Sequence, residues 1–239
     1  MQEIRISART LGLLNMPDAC PRCFWIRLHC EEKFPFQIPM PGIFNSIDAY
    51  GKKIVHSCFD NQNTLPPWFP NIGDVQGFLS GSELHWSKFN LQHSETNIRL
   101  TGTPDDVFQM GDGSCHIIDY KTGRLTGTQD ALSPLYEVQL NVYACIADSK
   151  GFSPISALSL IYMDPQTDVD FESLAGLMSD DKFHMNFRPL LRPVELKGKE
   201  FVLSLLEKAR QIHDELSPPE GRDKCKDCQL LIQLVSVAQ

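Results

Sequence analysis

No stretch of this chain approaches the roughly 18 consecutive apolar residues that a membrane-spanning helix needs. That argues against a helical membrane protein. Leu11–Leu14, behind Arg5 and Arg9, is too short for the core of a signal peptide, so a cytoplasmic location is expected. Positive charge is in short supply: 22 Lys and Arg stand against 30 Asp and Glu, a formal net charge of −8. A protein that coats polyanions indiscriminately needs the opposite balance. An enzyme of nucleic acids is still open, because an acidic metal site draws cations and a local basic face can hold phosphates. Internal repeats, low-complexity tracts and a convincing linker are missing too, so one domain is expected over residues 1–239.

What is present is an ordinary globular composition, 42% hydrophobic and 22% charged, long enough to bury a sizeable α/β core. Eight cysteines are expected to stay reduced in the cytoplasm. Four fall into two matched pairs, Cys20-Pro-Arg-Cys23 and Cys225-Lys-Asp-Cys228. Four thiolates are the set that one tetrahedral zinc or an iron–sulfur cluster takes, so a metal is expected to join the chain ends. Cys30, Cys58, Cys115 and Cys145 stand singly and read as small buried hydrophobes.

The chemistry concentrates between Thr101 and Tyr143. Pro104–Gln109 and Cys115–Lys121 read as two strands joined by Gly111-Asp112-Gly113, whose Asp-Gly step suits a hairpin turn. Alternation puts Ile117, Asp119 and Lys121 on one face and Ile118 and Tyr120 on the other. Asp119 and Lys121 are thus about 6–7 Å apart at Cα, on one side. Asp105 lies on the facing strand, with Asp106 competing for its role. Gln139 and Tyr143 are four apart on a helix expected from Ser133 to about Asp148, burying Leu135, Val138, Val142 and Cys145.

A phosphodiester is anionic and a poor electrophile. Hydrolysing it takes charge neutralisation and an activated water, which Mg2+ or Mn2+ held by hard oxygen donors supplies. Asp105 and Asp119 are the candidate ligands, with the Tyr120 carbonyl as a third. Lys121 could orient the attacking oxygen and offset developing charge.

Elsewhere, Ser46–Asp60 reads as a helix with Ile47, Tyr50, Ile54 and Cys58 on its apolar face. His56 falls opposite them, near Lys52 and Lys53, on a face that is either solvated or turned toward the site. Phe59, Trp68, Phe69, Phe78, Trp86 and Phe89 run through an irregular region 61–95 and read more readily as packing than as a base-stacking path. Residues 34–42 read as an extended, proline-punctuated segment. Ile155–Met163 reads as a strand, and Phe183, Met185 and Phe187 alternate like one. Pro193 is expected to open a second long helix buried through Phe201, Leu205, Ile212 and Leu216. The apolar tail Leu230–Ala238 is expected to pack.

Taken together, Gly102-x-x-Asp105, the hairpin, Asp119-Tyr120-Lys121-Thr122-Gly123 and Gln139-x-x-x-Tyr143 resemble the PD-(D/E)xK nuclease superfamily, in particular its RecB-like branch, which includes CRISPR-associated RecB-like exonucleases. The resemblance covers residues 97–147, with the cysteines extending it. It implies a restriction-endonuclease-like α/β core, a central mixed sheet flanked by helices, with the ends joined at the four cysteines. It implies metal-dependent cleavage of DNA, commonly as an exonuclease on single strands or ends, with partners in repair, recombination or defence. Asp105 and Asp119 match the metal ligands, Lys121 the catalytic lysine, and Gln139 and Tyr143 the substrate-contacting helical motif. His56, after Gly51, is placed like the upstream metal-binding histidine of such enzymes. An upstream glutamate has two candidates, Glu83 and Glu95. Iron–sulfur relatives pair one N-terminal cysteine with three near the C-terminus, whereas this chain has two and two. A catalytically silent subunit of the same fold is the alternative, and the full Asp105, Asp119, Lys121 set favours the enzyme.

Overall fold

The structure is a computed structural model, and it describes residues 2–30, 41–79, 81–124 and 131–238. The expected extended segment 34–42 lies almost wholly outside them. Eight strands form two sheets among these residues. The smaller has the order β1-β4-β3: Ile4–Ser7 runs parallel to Ile98–Thr101, which pairs antiparallel with Asn90–His93. The larger has the order β2-β5-β6-β7-β8, from Val75–Phe78, Asp106–Met110, Cys115–Thr122, Ile155–Pro165 and Phe187–Val194.

Only the β6–β7 pair of the larger sheet is parallel; the rest are antiparallel. Parallel neighbours cannot be joined by a tight turn, and here the helix Ser133–Ser149 makes the crossover. Numbering the α-helices along the chain gives α1 Ala8–Gly12, α2 Pro21–His29, α3 Gly42–Gln62, α4 Gly81–Leu84, α5 Ser133–Ser149, α6 Phe171–Leu174, α7 Lys199–His213 and α8 Lys226–Ala238. The result is a mixed sheet flanked by helices, as expected.

Strand alternation sorts the core onto two faces. Val107, Ile117, Leu158, Leu160 and Tyr162 join the main cluster with Leu11 from α1, Val138 and Val142 from α5, and Val202 and Leu206 from α7. Phe108, Ile118 and Ile161 face the other way, against Val55 of α3 and Phe69.

Several expectations fail for physical reasons. Helix α3 buries Val55 and Phe59, not the stripe through Ile47 and Ile54, and Tyr50 is 68% exposed. Ile47, Ile54 and Cys58 are only half-buried, and Lys52 and His56 lie on the side of Val55 and Phe59. Pro193 sits in β8 opposite Ser159, and the helix begins at Lys199 after Gly198. Phe183 is 82% exposed and lies before the strand, which starts at Phe187. The region 61–95 holds β2, α4 and β3; Phe59, Phe69 and Phe89 pack, while Trp68 and Trp86 stay exposed. The tail is helix α8, whose Leu230, Ile232, Leu234, Val235 and Val237 are exposed among the described residues rather than packed.

Candidate active site

The hairpin register builds the site. Asp106 pairs with Ile118 across β5 and β6, so one step further along Asp105 faces Asp119. Residues directly opposite on antiparallel strands point to the same side, with Cβ atoms about 4.5–5.5 Å apart. Both carboxylates therefore lie on the side that α5 covers, with Asp105 just before β5 begins, where Lys52 of α3 also reaches it. Asp106 and Tyr120 turn to the face covered by α3. By alternation Asp105 shares the face of Asp119, and Asp106 does not.

Each carboxylate of the first face is held from two sides. Asp105 Oδ2 accepts from the Tyr120 backbone N–H at 2.7 Å, and Asp105 Oδ1 from Lys52 Nζ at 2.5 Å. Asp119 is ion-paired through Oδ2 to Lys121, and its Oδ1 accepts a long bond, 3.3 Å, from Gln139 Nε2. The Lys121 ammonium also sits 4.4 Å from the centroid of the Tyr136 ring, a cation–π contact that steadies it. Gln139 donates to the Tyr143 hydroxyl at 2.7 Å, so one turn of α5 ties both residues of the helical motif to Asp119.

Gly102 explains its own place in the pattern. A Cβ there would lie 2.4 Å from Tyr143 Cε1 and 2.8 Å from Cδ1. The glycine lets the chain before β5 run against the ring, which brings Asp105 beside the Gln139–Tyr143 pair.

On the second face, His56 Nε2 lies 2.6 Å from Asp106 Oδ1, and the Tyr120 hydroxyl donates to Asp106 Oδ2 at 2.8 Å. The His56 ring stacks on Phe78 with centroids 4.3 Å apart. The structure thus brings Asp105, Asp119, Lys121, Gln139 and Tyr143 together, with Tyr120 between the two faces. It sets His56 on Asp106 instead. Asp48 and Lys52 are the residues that sequence reasoning passed over as site groups. With His56 they recur every four residues on α3, a spacing that marks one helix face.

Burial, and then the neighbouring Asp119, push the Asp105 carboxyl up to about 7. Burial pulls the Lys52 ammonium down, but Asp105 and Asp48 outweigh it and hold the group above its ordinary value. The hydrogen bond to Asp106 raises His56. Burial and Asp106 raise Tyr120; burial and Asp119 raise Tyr143. Both phenols stay protonated at neutral pH.

The donor set fits a hard divalent cation. Two carboxylates, hard oxygen donors, share one face, and each draws an ammonium.

The four paired cysteines converge as a second centre. Cys20 caps α2 and Cys23 lies in its first turn; Cys225 and Cys228 stand the same way around the start of α8. Their Sγ atoms all lie within 4.8 Å of one another, with three separations of 3.5, 3.6 and 3.7 Å. A tetrahedral ion with Zn–S near 2.3 Å sets its sulfurs about 3.8 Å apart. The Arg222 N–H points at Cys20 Sγ at 3.3 Å, and a Cβ on Gly221 would be 2.9 Å from Cys228 Sγ. The thiols therefore fit a metal ion, and the cluster staples α2 to α8.

A mixed sheet with helices on its faces and an acidic hairpin end defines a restriction-endonuclease-like α/β protein. The family model of the PD-(D/E)XK nuclease superfamily matches residues 72–232. The chain belongs to that superfamily, and membership indicates a nuclease. Among solved structures, the crystal structure of SSO0001 is similar at 13% identity, over 90% of this chain and 79% of that chain, with a TM-score of 0.46. A likeness of that degree carries no functional weight. No curated protein matches.

Proposed function

We propose that this protein is a Mg2+- or Mn2+-dependent deoxyribonuclease of the RecB-like branch, an exonuclease working on single strands or DNA ends. The observation that carries the reading is the register: Asp105 and Asp119 opposite each other on one face, with Lys121 bound to Asp119. The exonuclease mode and the DNA substrate rest on the resemblance of the motif set to RecB-like enzymes. The whole chain is read as one domain. No helix among the described residues is long and apolar enough to cross a membrane, which is compatible with a cytoplasmic enzyme.

In this reading Asp105, Asp119 and the Tyr120 carbonyl hold the divalent cation. When bound, that ion supplies charge neutralisation and a water of lowered pKa. Lys121 stands over Tyr136 at the same edge, where its ammonium orients the attacking oxygen and offsets charge building on the phosphate. Gln139 and Tyr143 fix the Asp119 carboxylate and offer an amide and a phenol to the substrate backbone. His56 sets α3 against the hairpin through Asp106, and service as a metal ligand would require that contact to break. The compact thiol set supports one tetrahedral ion such as Zn2+ rather than an iron–sulfur cluster, whose several irons spread their ligands. The visible absorption of anaerobically purified protein separates the two.

The test is cleavage of end-labelled single- and double-stranded DNA with Mg2+ or Mn2+, wild type beside Lys121→Ala. Metal-dependent cleavage lost in the variant is the expected result. DNA binding without cleavage in the wild type would overturn the reading in favour of a silent subunit.

A further inference from the structure

The site contains an ammonium that the motif set does not account for. Lys52 Nζ lies 2.5 Å from Asp105 Oδ1 and 2.8 Å from Asp48 Oδ2, and its side chain is only 24% exposed. Asp48 is four residues back on α3, so the lysine has an acceptor on its own helix as well as one on the hairpin. Lys121 makes the corresponding contact to Asp119. The two carboxylates proposed as metal ligands thus carry one ammonium each. Lys121 is held a second time by the Tyr136 ring; Lys52 is held a second time by a carboxylate.

A Mg2+ ion would bind a carboxylate oxygen at about 2.0–2.1 Å. An ammonium 2.5 Å from the same oxygen would then stand a few ångströms from a dication, in a partly buried site where repulsion is weakly screened. The two therefore compete for Asp105 Oδ1. Asp48 offers the lysine a place to go without desolvating it alone, which a buried cation requires. Asp48, Asp105 and Asp119 against Lys52 and Lys121 leave one formal negative charge. A divalent cation turns that into one positive charge, which matches a phosphodiester. Retaining Lys52 nearby, rather than expelling it to solvent, is what makes the loaded site attractive to the substrate.

Building on the metal-nuclease reading, we propose that Lys52 is a placeholder cation: it holds Asp105 in position when no divalent ion is bound and withdraws onto Asp48 when one binds. It is a positioning residue, acting through Asp105. The contact between His56 and Asp106, with Val55 and Phe59 in the core, docks α3 independently, so the helix does not depend on Lys52 for its place.

The placeholder role predicts opposite effects from two neutralising changes. With the cysteine site loaded, Mn2+ binding to the full-length protein is measured by titration calorimetry. Lys52→Met removes the competitor, so Mn2+ should bind more tightly, by about fivefold or more for a coupling of ordinary size. Asp48→Asn removes the withdrawal point, commits Lys52 to Asp105, and should weaken Mn2+ by a similar factor. Asp119→Asn should abolish the binding. Lys52 as a mere structural strut would weaken or leave unchanged the affinity in Lys52→Met, and that result overturns the proposal while leaving the nuclease reading intact. Unchanged or tighter binding in Asp48→Asn overturns it as well. A wild type with no Asp119-dependent Mn2+ binding overturns both. Circular dichroism of each variant checks folding, and the Asp48→Asn arm stands even where Lys52→Met fails to fold.

Discussion

Replacing Gly102 with alanine puts the close approach at the edge of the site to a quantitative test. The added Cβ would meet Tyr143 Cε1 at 2.4 Å, where ordinary carbon contacts begin near 3.5 Å, so the ring must retreat by roughly 1 Å. It has little room. Tyr143 is buried, its ring lies edge-on to Phe89 at 6.4 Å, and its hydroxyl is bound by Gln139. Overpacking of this kind costs about 1–3 kcal/mol. The upper end applies, because moving the ring also strains a hydrogen bond worth about 1 kcal/mol. For a chain of this size each kcal/mol moves Tm by roughly 2–4 °C, so the expected drop is about 6–12 °C. Urea and thermal unfolding of wild type, Gly102→Ala, Tyr143→Ala and the double variant measure it. In the Tyr143→Ala background the extra methyl should be almost neutral, within about 0.5 kcal/mol, because its obstacle is gone. A wild-type Tm for Gly102→Ala, or an equal loss in both backgrounds, would refute the reasoning.

Three further outcomes follow from the electrostatics and the cysteines. Burial and Asp119 raise Asp105 to about 7, so a proton competes with the divalent cation for it; Mn2+ affinity should fall about tenfold per pH unit below that value and level off above, and a flat profile by calorimetry would contradict it. Asp106 raises His56, so this pair stabilises the fold fully below the unfolded histidine value near 6.5 and loses that contribution as pH climbs through the raised one; His56→Gln should flatten the fall in urea midpoint over that range. One metal equivalent should leave with the thiol site, whether by chelation or by Cys23→Ser or Cys225→Ser. Each route should lower Tm, because the centre joins residues about 200 apart in the chain; metal retained in the serine variants would mean that the four thiols are not its ligands.

The part of the fold legible in the sequence was the part with short-range signals. The Gly111-Asp112-Gly113 turn and the alternation in Cys115–Lys121 fix the hairpin, and its register puts Asp105, Asp119 and Lys121 on one face because strand geometry leaves no choice. The matched cysteine spacing announced a convergence that the structure shows. What was hidden depends on tertiary context. The stripe through Ile47, Tyr50 and Ile54 has a helix period, yet α3 docks through Val55, Phe59, Lys52 and His56, since carboxylates on the hairpin reward charged partners that a hydrophobic pattern does not register. Pro193 resembles a helix start but lies in the outermost strand of its sheet, where a missing N–H is tolerated. The short strands β2 and β3, four residues each, carry too little pattern to stand out from a loop.

The proposed mechanism requires Asp105 and Asp119 to hold one catalytic divalent cation together. A crystal soaked in Mn2+, with anomalous scattering recorded to locate it, tests this directly. The expected result is a peak bonded to both carboxylates, with Lys121 at its edge and Lys52 turned to Asp48. A peak elsewhere, or none between the two aspartates, would contradict it.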